Sequence, residues 1–464
     1  MAKREIETHR VSRRDFLRML AVTGGAAVLV SCGVKPSPTT TAVPGTAVPG
    51  EEVTETPAPP DRVKVVHVTV IDPTVFDNVQ AILDDKGLAI DYVLDMSVKS
   101  MGWTGFTDTI ITRLAGGEQV DAFHMAIQGL TVAAMKKIIQ PIDPFINSDA
   151  EAKADIESDF HPNVLKILNW QGKQYGLPND WNNMVVHYNT KIFTDLGVPA
   201  PSLDWTWDDF RETCLAVASV TGGENDRYAY GDYLWSFFLH VWYFNNDTAA
   251  FTEDWLNSNM NDPKVAETLQ FLADLILVDK TVPSFGAFDV YGQFFAQNLV
   301  MRECGGWCIG GYLENNLNTF DFQYNPHKAG NLKTVVGAAG ELMTTLTKNP
   351  DATWEVIKVL ALPEIMKGHM VMYGAPAGRL SLLNSPEFLE MASPATPDMG
   401  IFVRSLDFAK VDPCPPNLNI TDPLLNRWYS QIFNGELSVE DGVKGAHEEL
   451  QAEMDIMKTQ YGLG

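Results

Sequence analysis

The run Val63-Lys-Val-Val-His-Val-Thr-Val-Ile71 constrains the fold most, because β-branched side chains dominate it on alternate and adjacent positions alike. Such a segment is a strand buried on both faces, the environment of a parallel sheet covered by helices on either side. Asp72-Pro73 ends it, a helical segment from Val75 to Lys86 stops at Gly87, and Ile90 to Leu94 is a second strand. Phe106, Ile110 and Leu114 then recur at helical spacing before Gly116-Gly117, the residues that close a helix. Val120 to Met125 reads as another short strand and Met135 to Gln140 as a helix running into Pro141. Strands alternating with helices predict an α/β fold with a parallel-rich sheet. Three further helix starts are marked: Thr206 with Asp209, Asn349-Pro350 before Trp354, Ile357 and Ala361, and Ser438 with Asp441 before Val443, Ala446, Leu450, Met457 and Tyr461.

The N-terminus has a different logic. Arg10, Arg13 and Arg14 precede an apolar run from Met19 to Val30 that is short for a bilayer span. Ser12-Arg13-Arg14-Asp15-Phe16-Leu17 resembles a twin-arginine export signal, and Leu29-Val30-Ser31-Cys32 resembles a bacterial lipobox, in which the thiol accepts lipid and becomes the mature N-terminus. Residues 1–31 are therefore expected to be a signal peptide. Residues 32–60, rich in Pro, Thr, Ala and Val, have too few large apolar groups to offset ordering entropy and are expected to be a lipidated, disordered tether. The expected location is outside the cytoplasm, anchored to the cell membrane through Cys32.

From Asp61 to Gly464 the chain is long enough for two domains of ordinary size. Loss of residues 1–31, with six basic and three acidic side chains, would take the formal net charge from −25 to −28. That surface repels phosphate backbones and anionic lipid, so no nucleic-acid partner is expected and membrane contact must come from the lipid. Besides Cys32 there are Cys214, Cys304, Cys308 and Cys414, which allow three pairings. The spacing of Cys304 and Cys308 permits a local disulfide, while folding before export favours buried free thiols. No His or Cys spacing suits zinc, and no metal or cofactor is expected.

Several stretches, in order along most of the body, resemble the bacterial solute-binding proteins of ABC importers, in particular the family of maltose- and other sugar-binding proteins. Leu114-Ala-Gly-Gly-Glu-Gln-Val-Asp121-Ala-Phe resembles its glycine stop before an Asp-bearing strand. Gly172-Lys-Gln-Tyr-Gly-Leu-Pro178 with His187-Tyr-Asn-Thr-Lys-Ile-Phe193, Trp205-Thr-Trp-Asp-Asp-Phe210, Phe294 to Met301 and Gly305-Gly306-Trp307 follow. Gln297-Asn298 stands where the family has Gly-Lys, and Val186-His187 precedes the Tyr. The resemblance implies two discontinuous α/β lobes with a ligand cleft between them, the type II periplasmic-binding-protein arrangement. Lobe one would be 61–174 plus 332–373 and lobe two 175–331 plus 374–464. It also implies a monomer that binds a small polar solute, a sugar above all, and delivers it to the permease subunits of an ABC transporter.

A sugar has apolar C–H faces and a rim of hydroxyls, so its site needs flat aromatic platforms beside fixed donors and acceptors. Where the resemblance puts the cleft, the sequence has Asn179, Asp180, Trp181 and Asn182, then Trp235, Trp242 and Tyr243, then Gly306 and Trp307, and Arg379 for bidentate bonds. Asp72, Trp103, His124 and Gln128, near strand ends or the first cleft helix, are weaker candidates. Core packing competes for every aromatic, most evenly for Trp242 and Tyr243. Two other readings use the same export signals: a glycoside hydrolase with carboxylates such as Asp180, Glu303 and Glu341, and an adhesion module. A third keeps the fold and changes the cargo to a peptide, polyamine or organic anion. No G-x-S-x-G, H-E-x-x-H or P-loop motif is present.

Overall fold

A computed structural model describes residues 61–463 apart from 99–102, 222–226, 233–235, 285, 287–288 and 329. The signal, the tether and Cys32 lie outside the described residues, as does Trp235. Ten strands carry the architecture: β1 (Val63–Val68), β2 (Ile90–Asp95), β3 (Ala122–Ala126), β4 (Gly176–Asn183), β5 (Val185–Asn189), β6 (Tyr228–Gly231), β7 (Leu299–Cys304), β8 (Phe320–Gln323), β9 (Thr334–Met343) and β10 (Ala409–Val411). The main helices are α1 (Val79–Asp85), α2 (Trp103–Ala115), α3 (Ile127–Met135), α4 (Trp207–Thr221), α5 (Ser236–Asn245), α6 (Pro263–Leu277), α7 (Pro350–Leu360), α8 (Pro363–Tyr373), α9 (Leu418–Phe433) and α10 (Val439–Tyr461).

Strand β1 is buried on both faces, with Val65, His67 and Val68 fully enclosed. It pairs in parallel with β2 and β3, as its composition requires. It is shorter than the β-branched run, because the Thr69 hydroxyl accepts the Ile71 N–H and turns the chain. Valines on opposite sides of β1 feed two cores. Val66 and Val68 pack with Phe106, Ile110 and Phe123, and Val65 packs with Val79, Leu83, Val356 and Val359. The first sheet runs β10-β9-β3-β1-β2, with β4 also bonded to β9. The second runs β8-β5-β7-β6.

Each sheet is assembled from separated stretches of chain. β4 belongs to the first sheet and β5 to the second, with Met184 alone between them. The chain returns to the first sheet at β9 and again at β10, so pairing carries the first sheet to Asn183 and adds Ala409–Val411.

Helix boundaries follow local chemistry. Thr206 and Asp209 cap α4 reciprocally, Thr206 N–H donating to the carboxylate at 2.8 Å and Asp209 N–H to the hydroxyl at 3.2 Å. Ser438 accepts from Asp441 N–H at 3.1 Å to open α10, which closes on Gly462 in the left-handed conformation. The expected helix over 135–140 is instead a turn. Helix α3 starts directly at the end of β3 and stops at Met135, because Lys137 adopts a positive φ and Ile139 bridges to Thr344. Cys304 and Cys308 are joined in a disulfide, against the free-thiol expectation, while Cys214 and Cys414 are free and buried.

Candidate functional site

A cavity of about 560 Å³ opens between α2 and α3 on one side and α5, residues 412–423 and the end of α10 on the other; α5, α9 and α10 contribute to the core of the second sheet, while Asp412 leaves the first sheet directly after β10. Gln128 reaches it because α3 begins where β3 ends, the edge at which open α/β sheets place their ligands. The opposite wall comes from α5, whose residues are all buried and whose lone imidazole, His240, sits in the run Ser-Phe-Phe-Leu-His-Val-Trp-Tyr-Phe-Asn. Asp412, just after β10 and 4% exposed, joins the two walls. Its Oδ1 lies 2.8 Å from His240 Nδ1, and its Oδ2 takes the Gln128 amide at 3.5 Å and the Cys414 thiol at 3.3 Å. Thr131 on α3 donates to the Cys414 carbonyl at 2.7 Å and holds that loop in place.

Asp422, on the first turns of α9, accepts from the Ser236 hydroxyl and, at 3.4 Å, from Asn426. Burial pushes its carboxyl above the usual range; the Ser236 bond opposes this and the charge of Asp412 adds to it. Asn417 spends its amide on the Glu453 carbonyl at 3.2 Å, leaving its own buried Oδ1 without a partner, and His240 Nε2 is likewise unpartnered. Burial, with Asp412 alongside, pushes the Cys414 thiol well above its ordinary value.

Of the sequence candidates, Gln128 lines this cavity. Trp307 is one ring removed from it, its indole 6.4 Å from Phe237, a lining residue, and its Nε1 donating to Tyr291 at 2.9 Å. Gly306 is needed for backbone packing: a Cβ there would come within 2.4 Å of the Gly374 carbonyl. Asn179, Asp180, Trp181 and Asn182 form β4, zipped against β9 inside the first sheet. Trp181 is fully buried, with Nε1 donating to the Ala377 carbonyl at 2.8 Å. Asn179 donates to Leu360 O, and Asp180 accepts from Ala339 N–H.

Arg379, 2% exposed, holds Asp155 at 2.7 Å, Asp159 at 3.0 Å and the Ala361 carbonyl at 2.6 Å, which commits its guanidinium within the protein. Trp242 and Tyr243 belong to the core under the second sheet, Trp242 against Phe210 and Tyr230. Asp72 caps the turn at Pro73, and its N–H donates to the Tyr373 hydroxyl. His124 is interior: with His67 it flanks the buried Glu341, at 3.0 and 2.8 Å, and His67 touches Tyr92 OH. Burial works against the charge on Glu341, yet the two imidazoles hold its carboxyl well below the usual range. Glu303 lies in the other sheet beside Tyr230, where burial, reinforced by Asp232, pushes its carboxyl well above the usual range.

Ser236, His240, Asp412, Asn417 and Asp422 were not singled out from the sequence. The one local signal was an imidazole in an otherwise apolar helix.

The family model described as "Bacterial extracellular solute-binding protein" matches residues 91–395 of the 464. The arabinooligosaccharide-binding protein of Halalkalibacterium halodurans is 24% identical over 202 residues, 42% of this chain and 41% of that protein. The maltotriose-binding protein of Pyrococcus abyssi is 22% identical over 295 residues, 59% and 58% of the two chains. The chain thus spans between about two fifths and two thirds of the length of the curated relatives it matches. In three dimensions it is similar to the sugar-binding protein MalE of Xanthomonas citri, with TM-score 0.74, 15% identity and coverage of 87% of this chain and 100% of that one. A Listeria monocytogenes ABC substrate-binding protein in complex with cycloalternan superposes with TM-score 0.73 at 17% identity, covering 85% and 100%. The two discontinuous α/β lobes are therefore the type II binding-protein fold. Among the described residues no helix is long and apolar enough to cross a membrane.

Proposed function

Because the chain belongs to the bacterial extracellular solute-binding protein family, we propose that it captures a sugar or short oligosaccharide in the Asp412 cavity and passes it, unaltered, to the permease of an ABC importer. The observation that carries this reading is that both lobes contribute to one cavity and meet at Asp412, through Gln128 on one side and His240 on the other. A solute contacting both walls binds the closed arrangement more tightly than an open one, and closure follows from that difference in affinity. The relatives named for oligosaccharides support a carbohydrate cargo. Of the carboxylates weighed for a hydrolase, Glu303 lies in the second sheet and Asp180 and Glu341 in the first, and none of them lines the cavity. The two bodies that move are each built on one sheet, so 176–183 and 409–411 travel with 61–174 plus 332–373 and the rest of 175–331 plus 374–464 forms the other; the protein acts as a monomer, and lipid on Cys32 keeps it at the membrane.

Titration calorimetry against a panel of neutral and substituted mono- and oligosaccharides, with chromatography of the recovered solute, tests the central point. Stoichiometric binding with the sugar recovered intact is expected. Cleaved products, or binding confined to peptides or organic anions, refute it. Fractionation of wild type and Cys32→Ser tests the anchor: the variant should leave the membrane and still bind, and persistent membrane association refutes lipidation.

A further inference from the structure

The side-chain donors bonded around Asp412 and Asp422 are already committed. The Ser236 hydroxyl and the Asn426 amide are spent on Asp422, the Gln128 amide on Asp412, and the Asn417 amide on a backbone carbonyl. Acceptor capacity is left over. Two carboxylates stand there, and Asn417, 7% exposed, keeps a buried Oδ1 without a partner. Neither carboxylate has a Lys or Arg ion-pair partner among the described residues; the imidazole of His240 is what stands against Asp412. At the rim, exposed Asp108 and Lys136 offset one another. With no Lys or Arg paired to either carboxylate, the inner wall holds its acidic groups without a fixed cation.

A neutral polyol supplies donors but leaves that charge uncompensated in a partly dry site. A protonated amine supplies both donors and charge. We infer that the cargo is an amino sugar, a carbohydrate carrying a free ammonium group seated between Asp412 and Asp422. This rests on the carbohydrate reading above and narrows it. His240 Nε2, 1% exposed and unpartnered, gives the wall one further polar atom for a ring hydroxyl.

The test compares pairs that differ in an amine for a hydroxyl: glucosamine with glucose, galactosamine with galactose, and the β-1,4-linked glucosamine dimer with cellobiose. Calorimetry on the full chain at pH 7 and low salt should give at least about tenfold tighter binding for the amine member of the pair that fits, with a preference that shrinks as salt is added. Asp422→Asn should bring the ratio of amine to hydroxyl affinity close to one, whatever it does to the affinity for either sugar alone. Should that variant fail to fold, Asp108→Asn on the exposed rim should reduce the preference by a smaller factor. Neutral sugars that bind as tightly as their amines overturn the inference and leave the carbohydrate reading standing. Binding of spermidine with no sugar of either kind overturns both.

Discussion

Asp412→Ala tests whether one carboxylate both joins the lobes and builds the site. The substitution removes the oxygen 2.8 Å from His240 Nδ1 and leaves an imidazole, 1% exposed, with neither nitrogen partnered. Stranding a buried polar group costs about 1–3 kcal/mol. It also frees Gln128 and the Cys414 thiol, whose contacts at 3.5 and 3.3 Å are weaker and add little. The unliganded protein should therefore lose about 1–3 kcal/mol of stability in chemical denaturation. Solute contacts on two walls lose their common anchor as well, so affinity should fall about tenfold or more, at 1.4 kcal/mol per decade. Asp412→Asn keeps an acceptor for His240 and should recover most of the stability but not the affinity. Calorimetry and denaturation on the two variants separate the roles. Wild-type affinity in both variants would refute the placement of the site, and wild-type stability in Asp412→Ala would refute the bridging role.

Trp181→Ala should act on folding, not directly on binding: deleting a fully enclosed indole and its bond to Ala377 costs roughly 3–5 kcal/mol, read by denaturant melts, and a stable variant with weakened binding would return Trp181 to the site. Arg379→Met should cost about 2–3 kcal/mol by unpairing the Ala361 carbonyl and Asp159, with the half-exposed Asp155 adding little, and should leave affinity unchanged in calorimetry. Glu341, whose folded carboxyl sits below its ordinary value of 4.5, contributes stability above that value and loses it as pH falls through the folded one. His124, raised from 6.5, contributes below 6.5 and loses its share as pH rises through the raised value. Denaturation between pH 3 and 9 should show both slopes in wild type, and an unaltered acid limb in Glu341→Gln would refute the pairing.

Short-range chemistry was legible in the chain. The doubly buried β1, the reciprocal cap of Thr206 and Asp209, the Ser438 cap and the stop after Leu114 each depend on residues within a few positions of one another, so composition and spacing suffice. The same holds for Gln128, which sits where a strand gives way to a helix. Trp181 shows the limit. Beside three polar neighbours it reads as a solute platform, but β4 is covered on both faces once it pairs with β9, and that partner lies about 160 residues away in the sequence. The site itself has no sequence signature because distant segments share it. Asp412 meets His240 across 172 positions and Gln128 across 284, and Ser236 meets Asp422 across 186. Which carboxylates stay uncompensated, and which arginine is spent inside the protein, is set by which groups the packed lobes bring within hydrogen-bonding distance, and only the tertiary structure decides that.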